Sequence, residues 1–369
     1  MIVYFADRRM HILGMASTAL RDGMAISDDT RIEDIETASV TFEFDLHYTG
    51  GPSRHNARNI AKAGNYLLRT DGQTQEFYCI ITTEESVSDH TIDVYCESAG
   101  LDMLNEEVAA FKADQAYTIE WYVKKYAYDS GFEIGVNEDP SSVRTLSWDS
   151  TATATERLQS VATEFGDEIY FSFAIPGLSV KHKYINIKKR RGRDQNRELR
   201  QGRDFDDMTI KTSIEDLATA LVVTGGTPES SDGADQQPIT LSGYKYDDGD
   251  IYVDGVMVKS RKALAVWSRY IDPDETGTDV GHVVKQWSYD TTSQSELCSR
   301  AVSHLKKVCE PEVTYELELC SLSGDIEIGD SVYIIDKAAE LYFKARLIKL
   351  ETSESTKTRK ATFGNFLAL

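Results

Sequence analysis

The sequence predicts a strand-rich α+β protein divided into several domains. Three observations support this prediction. Apolar and polar residues alternate at both ends of the chain, helical periodicity is confined to a few short segments, and 369 residues exceed the usual size of one domain. The hydrophobic fraction of 41% is that of a globular chain and argues against wholesale disorder.

The first hundred residues are predicted to form a small, mostly antiparallel sheet or barrel. Apolar and polar side chains alternate from Val40 to Tyr48, which is the period of a strand with one buried face. Two more strands are predicted at 77–81 and 92–96, joined by a polar connection. We expect this first domain to span residues 1–99.

Helical periodicity predicts an α+β module over residues 100–205. Thr153 and Glu156 have the spacing of a capping box, and Gly166 ends the helix that follows them. Two earlier helices are predicted from Leu101, Leu104, Val108 and Phe111, and from Ile119, Tyr122, Val123 and Tyr126. Two strands are predicted at 168–175 and 183–189.

The rest of the chain, residues 206–369, is predicted to be mainly strands. Short strands at 209–212 and 220–223 lead into a Gly-rich loop, and a hairpin is predicted over 239–258 with its turn at Asp248-Gly249. Ser293 and Glu296 cap a helix with an apolar face from Leu297 to Val308. Strands are predicted at 313–319, 326–335 and 343–350.

No catalytic or metal-binding motif stands out. The seven histidines are scattered singly, and the five cysteines include no C-x-x-C pair, which favours buried thiols over a disulfide framework or a zinc site. The acidic cluster of Asp247, Asp248, Asp250 and Asp254 admits two interpretations, a calcium site and a solvated hairpin tip. The acidic 271–277 segment is similarly ambiguous, and a loop is the favoured interpretation. We expect no cofactor, no metal and no catalytic residue.

One segment is strongly basic, although the whole chain has a net charge of −21. Residues 187–203 hold eight cations and two acids. This segment could be a nucleic-acid contact strip, a latch to an acidic surface of a neighbouring subunit or partner, or a solvated hairpin. The lack of an aromatic residue that could stack on a base disfavours the first. The candidate interface residues are Lys188, Lys189, Arg190, Arg191, Arg193, Arg197, Arg200 and Arg203.

Four segments of the second half together resemble a known family. They are ELRQGRDF at 198–205, SIEDLATALVVTGG at 213–226, PEVTY at 311–315 and IGDSV at 328–332. In this order and spacing they resemble the phage tail-associated lysin family, also called prophage endopeptidase tail or minor structural protein. The family is similar to the baseplate hub of contractile-tail phages.

This resemblance implies a fold of two β-barrel-like hub domains with inserted α/β modules. The second barrel-like domain would span 206–369, with an insertion around 225–295. It also implies a homotrimeric ring at the distal end of the phage tail in the virion, which closes the tail tube and opens during host entry. The partners implied are the distal tail protein, the tape-measure protein, and receptor-binding or other baseplate proteins. DNA would pass without specific binding.

Lytic members of the family continue into a C-terminal peptidase or glycan-cleaving extension, whereas this sequence ends three residues after Phe366. We therefore expect a structural protein rather than an enzyme. Two alternatives remain open, a peptidoglycan-degrading tail lysin or its non-catalytic N-terminal part, and a glycan-binding adsorption module. The second alternative would use exposed aromatic residues, for which the candidates are Tyr244, Tyr246, Tyr252 and Trp267. No apolar run is long enough to span a bilayer.

Overall fold

The fold is built mainly from strands, with five helices among the residues that the structure describes. The structure is a computed structural model. It describes residues 1–19, 24–70, 75–98, 100, 106–228, 237–270, 280–320, 326–337 and 340–367.

Seven strands of the N-terminal part pair in a circuit that returns to its starting strand. They are β1 (Ile2–Ala6), β2 (Ile12–Ser17), β3 (Ala25–Asp34), β4 (Ser39–His47), β5 (Tyr66–Thr70), β6 (Gln75–Ser86) and β7 (Thr91–Ser98), with helix α1 (Gly51–Ile60) between β4 and β5. The strand order is β3-β2-β1-β5-β6-β7-β4, and β4 pairs again with β3. The contact between β2 and β3 is a single residue pair, Ser17 with Ala25.

The alternation of apolar and polar residues in the sequence corresponds to side chains that are alternately buried and exposed in this part. In β4 the side chains of Phe42, Phe44 and Leu46 are buried, whereas that of Glu43 is exposed. The strands predicted at 77–81 and 92–96 are therefore confirmed as parts of β6 and β7, and the one predicted at 40–48 is confirmed over 40–47 as part of β4.

The middle of the chain folds around two helices and a three-stranded sheet. Its elements are β8 (Glu107–Val108), β9 (Phe111–Lys112), β10 (Tyr117–Thr118), α2 (Ile119–Tyr126), β11 (Phe132–Asn137), β12 (Val143–Arg144), β13 (Ser147–Trp148), β14 (Ala152–Thr153), α3 (Ala154–Phe165), β15 (Glu168–Ala174) and β16 (His182–Lys188). The predicted helices α2 and α3 are confirmed. Thr153 and Glu156 form the full capping box, and Gly166 ends α3 at φ 73°.

The helix predicted from Leu101 to Phe111 is wrong over its described part. Leu101 and Leu104 lie outside the described residues, while Val108 and Phe111 lie in β8 and β9, which pair with β14 and β13. The ring of Phe111 packs edge-on against Tyr122 in α2. The apolar spacing therefore arises from contacts of an extended segment with its neighbours rather than from one helix face.

The last part of the chain forms two sheets. Its elements are β17 (Asp194–Arg200), β18 (Phe205–Ser213), β19 (Ala220–Thr224), β20 (Ile251–Asp254), β21 (Met257–Ser260), α4 (Arg261–Trp267), β22 (Val284–Ser288), α5 (Gln294–Val308), β23 (Glu312–Leu319), β24 (Ser331–Asp336), β25 (Leu341–Thr352) and β26 (Arg359–Leu367). Strands β19 to β22 form a four-stranded sheet that packs against α5. The predicted α5 is confirmed, and Ser293 caps it by accepting the Glu296 N–H.

Strands from both ends of the chain meet in one 13-stranded sheet. Four residue pairs make the seam, because Arg31–Asp34 of β3 pair antiparallel with Lys349–Thr352 of β25. Strands β18, β23, β26 and β25 continue the sheet on one side, and β17 joins it through β24. The two barrel-like domains and their boundaries at 99, 205 and 225–295 stay a prediction.

The predicted hairpin is confirmed only in part. Asp247 pairs antiparallel with Tyr252 across the predicted Asp248-Gly249 turn, but in a single bridge. The regular hairpin is β20 with β21, and its turn is at Asp254-Gly255, where Gly255 has φ 60°. Asp248-Gly249 forms a separate tight loop, in which the Asp248 carboxylate accepts the N–H groups of Asp250 and Ile251. The sequence contains two Asp-Gly turns six residues apart, at 248–249 and 254–255, and the alternation of apolar and polar residues does not distinguish them.

Candidate functional site

The best-defined polar site lies where the three parts of the chain meet. The turn between β16 and β17 carries Arg191, which approaches Glu33 of β3, Glu168 at the start of β15 and Arg346 of β25. We call these four residues the charged junction. Each comes from a different strand or turn, so the junction exists only in the assembled fold.

Arg346 and Glu168 form the central pair of the charged junction. Two guanidinium nitrogens of Arg346 donate to the two Glu168 carboxylate oxygens at 2.6 and 2.8 Å. Arg346 also donates to the carbonyl oxygens of Gly329 at 3.0 Å and Arg191 at 2.8 Å. Burial opposes ionisation of Glu168, but the donors of Arg346 and the Arg191 N–H outweigh it and lower the pKa of Glu168. Such two-pronged pairs fix orientation as well as distance.

A row of alternating charges continues from the charged junction into the N-terminal sheet. Arg191 contacts Glu33 at 2.6 Å, and Arg31 contacts the other oxygen of Glu33 at 3.0 Å. Glu76 then accepts from Arg31 at 2.7 Å and from Arg69 at 2.6 Å. Burial works against the charge on Glu33, but Arg31 and Arg191 lower its pKa nonetheless. Removing one member of a buried row leaves its neighbour uncompensated, so the row holds the parts together.

A cavity of about 240 Å³ lies beside this row, between the N-terminal sheet and the middle module. Its charged wall is made by Arg31, Glu33, Glu76 and Arg191, and its aromatic wall includes Tyr170, Phe171 and Phe173. Because the charged groups already pair with one another, this wall presents no net charge to a ligand.

Two glycines allow the backbone segments at the charged junction to touch. Gly192, at φ 73°, lies against Gly329, at φ 92°. A Cβ atom on Gly192 would lie 2.1 Å from the Gly329 carbonyl carbon, and one on Gly329 would lie 2.5 Å from the Arg191 oxygen. Only glycine fits both the backbone conformation and the space at these two positions.

A second buried ionic group lies next to the charged junction. Lys189 Nζ is 2.5 Å from Asp139 and 3.3 Å from Asp167, whose side chain is fully buried. Burial raises the pKa of Asp167 to about 6, although Lys189 acts in the opposite direction. Asp139 is desolvated too, but Lys189 and Ser142 lower its pKa. The two carboxyl groups therefore compete for one cation.

The eight predicted interface residues extend from the end of β16, through the β16–β17 turn and β17, to the turn that follows β17. Six of them form ion pairs within the chain: Lys188 with Glu138, Lys189 with Asp139 and Asp167, Arg190 with Asp194, Arg191 with Glu33, Arg200 with Glu198, and Arg203 with Asp204. Arg197 acts electrostatically on Asp204, and Arg193 is exposed while its backbone N–H donates to Asp330. A role in contacts between chains stays a prediction, and the acids of the same chain compete for these cations.

The aromatic residues considered for glycan binding are partly used within the fold. Tyr244 and Tyr246 pack against the core beneath α5, and the Arg261 guanidinium lies 3.9 Å from the Tyr252 ring centre. Trp267 is half-buried at the end of α4. The predicted acidic loop at 271–277 lies outside the described residues, as do residues 229–233 of the predicted Gly-rich loop at 224–233.

Over the described part of the chain, no group of three or more His, Cys, Asp or Glu side chains is arranged to hold a metal ion. None of the helices in that part is long and apolar enough to cross a membrane.

Sequence reasoning missed Glu33, Glu168 and Arg346. Each lies within or at the start of a strand, and none belongs to a motif. The basic segment identified Arg191 without its partners, and the IGDSV segment includes Gly329, whose carbonyl oxygen accepts from Arg346.

The fold is that of phage tail proteins. Prophage tail protein gp18 from Listeria monocytogenes EGD-e has 13% sequence identity and a TM-score of 0.57, with 99% of this chain and 94% of that chain covered. The 43 kDa tail protein of prophage MuSo2 from Shewanella oneidensis has 12% identity and a TM-score of 0.59, with 99% and 97% covered. A tail protein from Neisseria meningitidis MC58 has 11% identity and a TM-score of 0.54, with 91% of each chain covered.

The model of the prophage endopeptidase tail family matches residues 193–368, just under half of the chain. This confirms the resemblance inferred from the four segments. No curated protein matches the sequence.

Proposed function

We propose that this protein is a structural hub of a phage baseplate, located at the distal end of the tail. Three copies form a ring that closes the tail tube and opens for the tape-measure protein and DNA. The observation that carries the proposal is that the tail-protein fold extends over 99% of the chain, while the family model matches its second half. The ring sits on the distal tail protein and contacts receptor-binding or other baseplate proteins.

The arrangement of strands supports a ring of this kind. The chain has one strand group at each end, and the β3–β25 seam joins them side by side. If both groups are barrel-like, three copies present six similar units, which matches a sixfold tube. A hub of this kind needs a fixed angle between its parts, and the charged junction with the seam provides one.

The net charge supports passage of DNA without retention. Phosphate contacts require cations, and the chain has 61 acids against 40 Lys and Arg. Six of the eight cations of the basic segment are in addition paired within the chain. We therefore propose that DNA is repelled by the ring rather than bound.

The experiment is the solution mass by light scattering over a concentration series, followed by electron microscopy. A mass of three times 41.3 kDa and a ring of six similar lobes are expected. A monomer at every concentration, together with clearing of host cell walls that a point mutation abolishes, would overturn the proposal in favour of a lysin. Binding of a monomer to cell-wall glycans would favour an adsorption module.

A further inference from the structure

The four-stranded sheet and its helices join the rest of the chain through two short connections that lie side by side. We call strands β19 to β22 with helices α4 and α5, residues 220–308, the β19–β22 unit. Residues 214–219 lead into the unit from β18, and residues 309–311 lead from it to β23. The Ala218 N–H donates to the Val308 carbonyl oxygen at 2.8 Å, so the two connections meet at one place. An attachment of this kind leaves room for movement of the unit as a body.

A further contact holds the β19–β22 unit against the middle module. Asp290, in the loop between β22 and α5, accepts the N–H of Thr145 through its carboxylate. Arg144 donates to the Tyr289 hydroxyl at 2.9 Å. Gly226 lies so close to this loop that a Cβ atom on it would be 2.3 Å from Asp290 Oδ1. The Asp290 carboxylate is therefore held in place from both bodies.

A cavity of about 370 Å³ lies between the two bodies at this contact. Glu164 of α3 and Thr145 line it from the middle module, and Gly226 and Asp290 line it from the β19–β22 unit. Two carboxyl groups, one from each body, therefore face the same cavity. Because the cavity interrupts the packing here, the contact can open without the loss of a close-packed apolar core.

The two carboxyl groups share one arginine, which does not offset their burial. Burial raises the pKa of Glu164 and Asp290 raises it further, although Arg144 acts in the opposite direction. Burial also raises the pKa of Asp290, against the Thr145 N–H and Arg144. The other titratable groups around the contact are Lys112 and Asp149, which line the cavity, Glu296 and Arg300 of α5, which contact Tyr289, and Tyr122 of α2, whose hydroxyl feels the charge of Asp290.

We propose that Glu164 and Asp290 form a proton-controlled latch between the middle module and the β19–β22 unit. The contact is closed while at least one of the two carboxyl groups is protonated, and it loosens when both are ionised, because two like charges then face each other in a partly desolvated cleft. The closed state binds these protons more tightly than an open state in which water surrounds both groups, so rising pH favours opening. The inference goes beyond the hub function and does not depend on the ring.

Amide hydrogen exchange at Thr145 measures the latch, because Asp290 protects this N–H while the contact is closed. The parent protein carries Asp167→Asn, which removes the titration of Asp167 in the same module. Protection is expressed relative to an unstructured amide at the same pH. We expect it to fall roughly fivefold between about pH 4.5 and pH 7.5 in the parent, and less than about twofold after Glu164→Gln.

Three controls separate the latch from other causes. Asp149→Asn removes an exposed carboxylate at the same cavity and should leave the pH dependence of the parent unchanged. Asp290→Ala removes the acceptor of the Thr145 N–H and should abolish protection of Thr145 at every pH. The amides paired between β15 and β16 report on unfolding of the middle module and should keep their protection throughout.

The results that would overturn the proposal are equally specific. Protection of Thr145 that does not change with pH in the parent would refute the latch, as would an equal fall after Glu164→Gln. A parallel loss of protection in β15 and β16 would mean that the middle module unfolds, and it would refute the opening of this contact as a separate event.

Discussion

Replacing Asp167 by asparagine is expected to stabilise the protein at neutral pH, because it removes the cost of ionising a buried carboxyl group. The Asp167 side chain is fully buried, and its nearest cation, Lys189 at 3.3 Å, also serves Asp139 at 2.5 Å. Burial raises the pKa of Asp167 from 3.8 to about 6 in the folded state. The folded protein therefore holds this proton more tightly than the unfolded chain does.

The sign and size of the effect follow from that difference. Between pH 4 and pH 6, the folded state keeps the Asp167 proton while the unfolded state has lost it, so stability falls as the pH rises. A shift of two pH units at 1.36 kcal/mol per unit corresponds to a loss of at most about 3 kcal/mol, complete above pH 6. Asparagine never ionises, so Asp167→Asn should be more stable than the wild type at pH 7.5 by up to about 3 kcal/mol.

The free energy of unfolding of each variant is measured by urea titration with tryptophan fluorescence as the signal. Trp121 and Trp148 report on it because they pack in the same module as Asp167. The stability difference between variant and wild type should grow from pH 4 to pH 6 and then level off. Asp149→Asn, at an exposed carboxylate of the same module, is the control and should show a small difference at every pH. A difference for Asp167→Asn that is constant from pH 4 to pH 7.5 would refute the reasoning.

Three further predictions concern the contacts between the parts of the chain. Gly192→Ala should cost about 2–4 kcal/mol of unfolding free energy, because the new methyl group would overlap the backbone of Gly329 at a positive φ. Asp29→Ala should cost about 1.5–3 kcal/mol, because it removes a buried carboxylate that accepts the N–H groups of Glu354 and Ser355 beyond the seam. Arg346→Lys should lower the melting temperature, because one ammonium cannot replace the donors to Glu168 and to two carbonyl groups.

Each of these has a control or a result that would contradict it. Gly202→Ala has a similar φ of 76° and open space, so a loss equal to that of Gly192→Ala would contradict the overlap. Burial opposes ionisation of Asp29, but N–H donors lower its pKa, so the cost of Asp29→Ala should shrink only as the pH falls below about 4. Lys344→Arg, the reverse exchange in the same strand, is the control for Arg346→Lys. Arg346→Lys should lower the melting temperature more than Lys344→Arg does.

Local patterns predicted those elements that bury a regular face. Strand β4 alternates because one face is core, and α3 carries its own start and stop signals in Thr153, Glu156 and Gly166. Helix α1 was missed because only Ala57 and Ile60 are buried, so its sequence has no apolar stripe. Helix α4 was missed for a different reason, because residues 263–267 are all apolar and so show no helical period, although only Ala263 is buried.

The charged junction could not be predicted, because it depends on which distant segments meet. The sequence shows Arg191 within a basic run, but its partner Glu33 lies 158 residues away, and Glu168 is 178 residues from Arg346. Nothing in local charge or periodicity links positions so far apart. The family resemblance, by contrast, depends on short segments in order, which the sequence shows directly.

The seam between β3 and β25 sets a time scale for folding. The Asp29 carboxylate cannot accept its hydrogen bond from the Glu354 N–H until 325 further residues have been synthesised. At roughly 5–20 residues per second, synthesis takes on the order of 15–65 s to supply that partner. During this interval the N-terminal strand group can complete its own circuit while the outer edge of β3 remains bare. Pairing of β3 with β25 is therefore a late, non-local step of folding. Until β25 has been synthesised, the unpaired edge of β3 in the nascent chain can pair with a wrong strand.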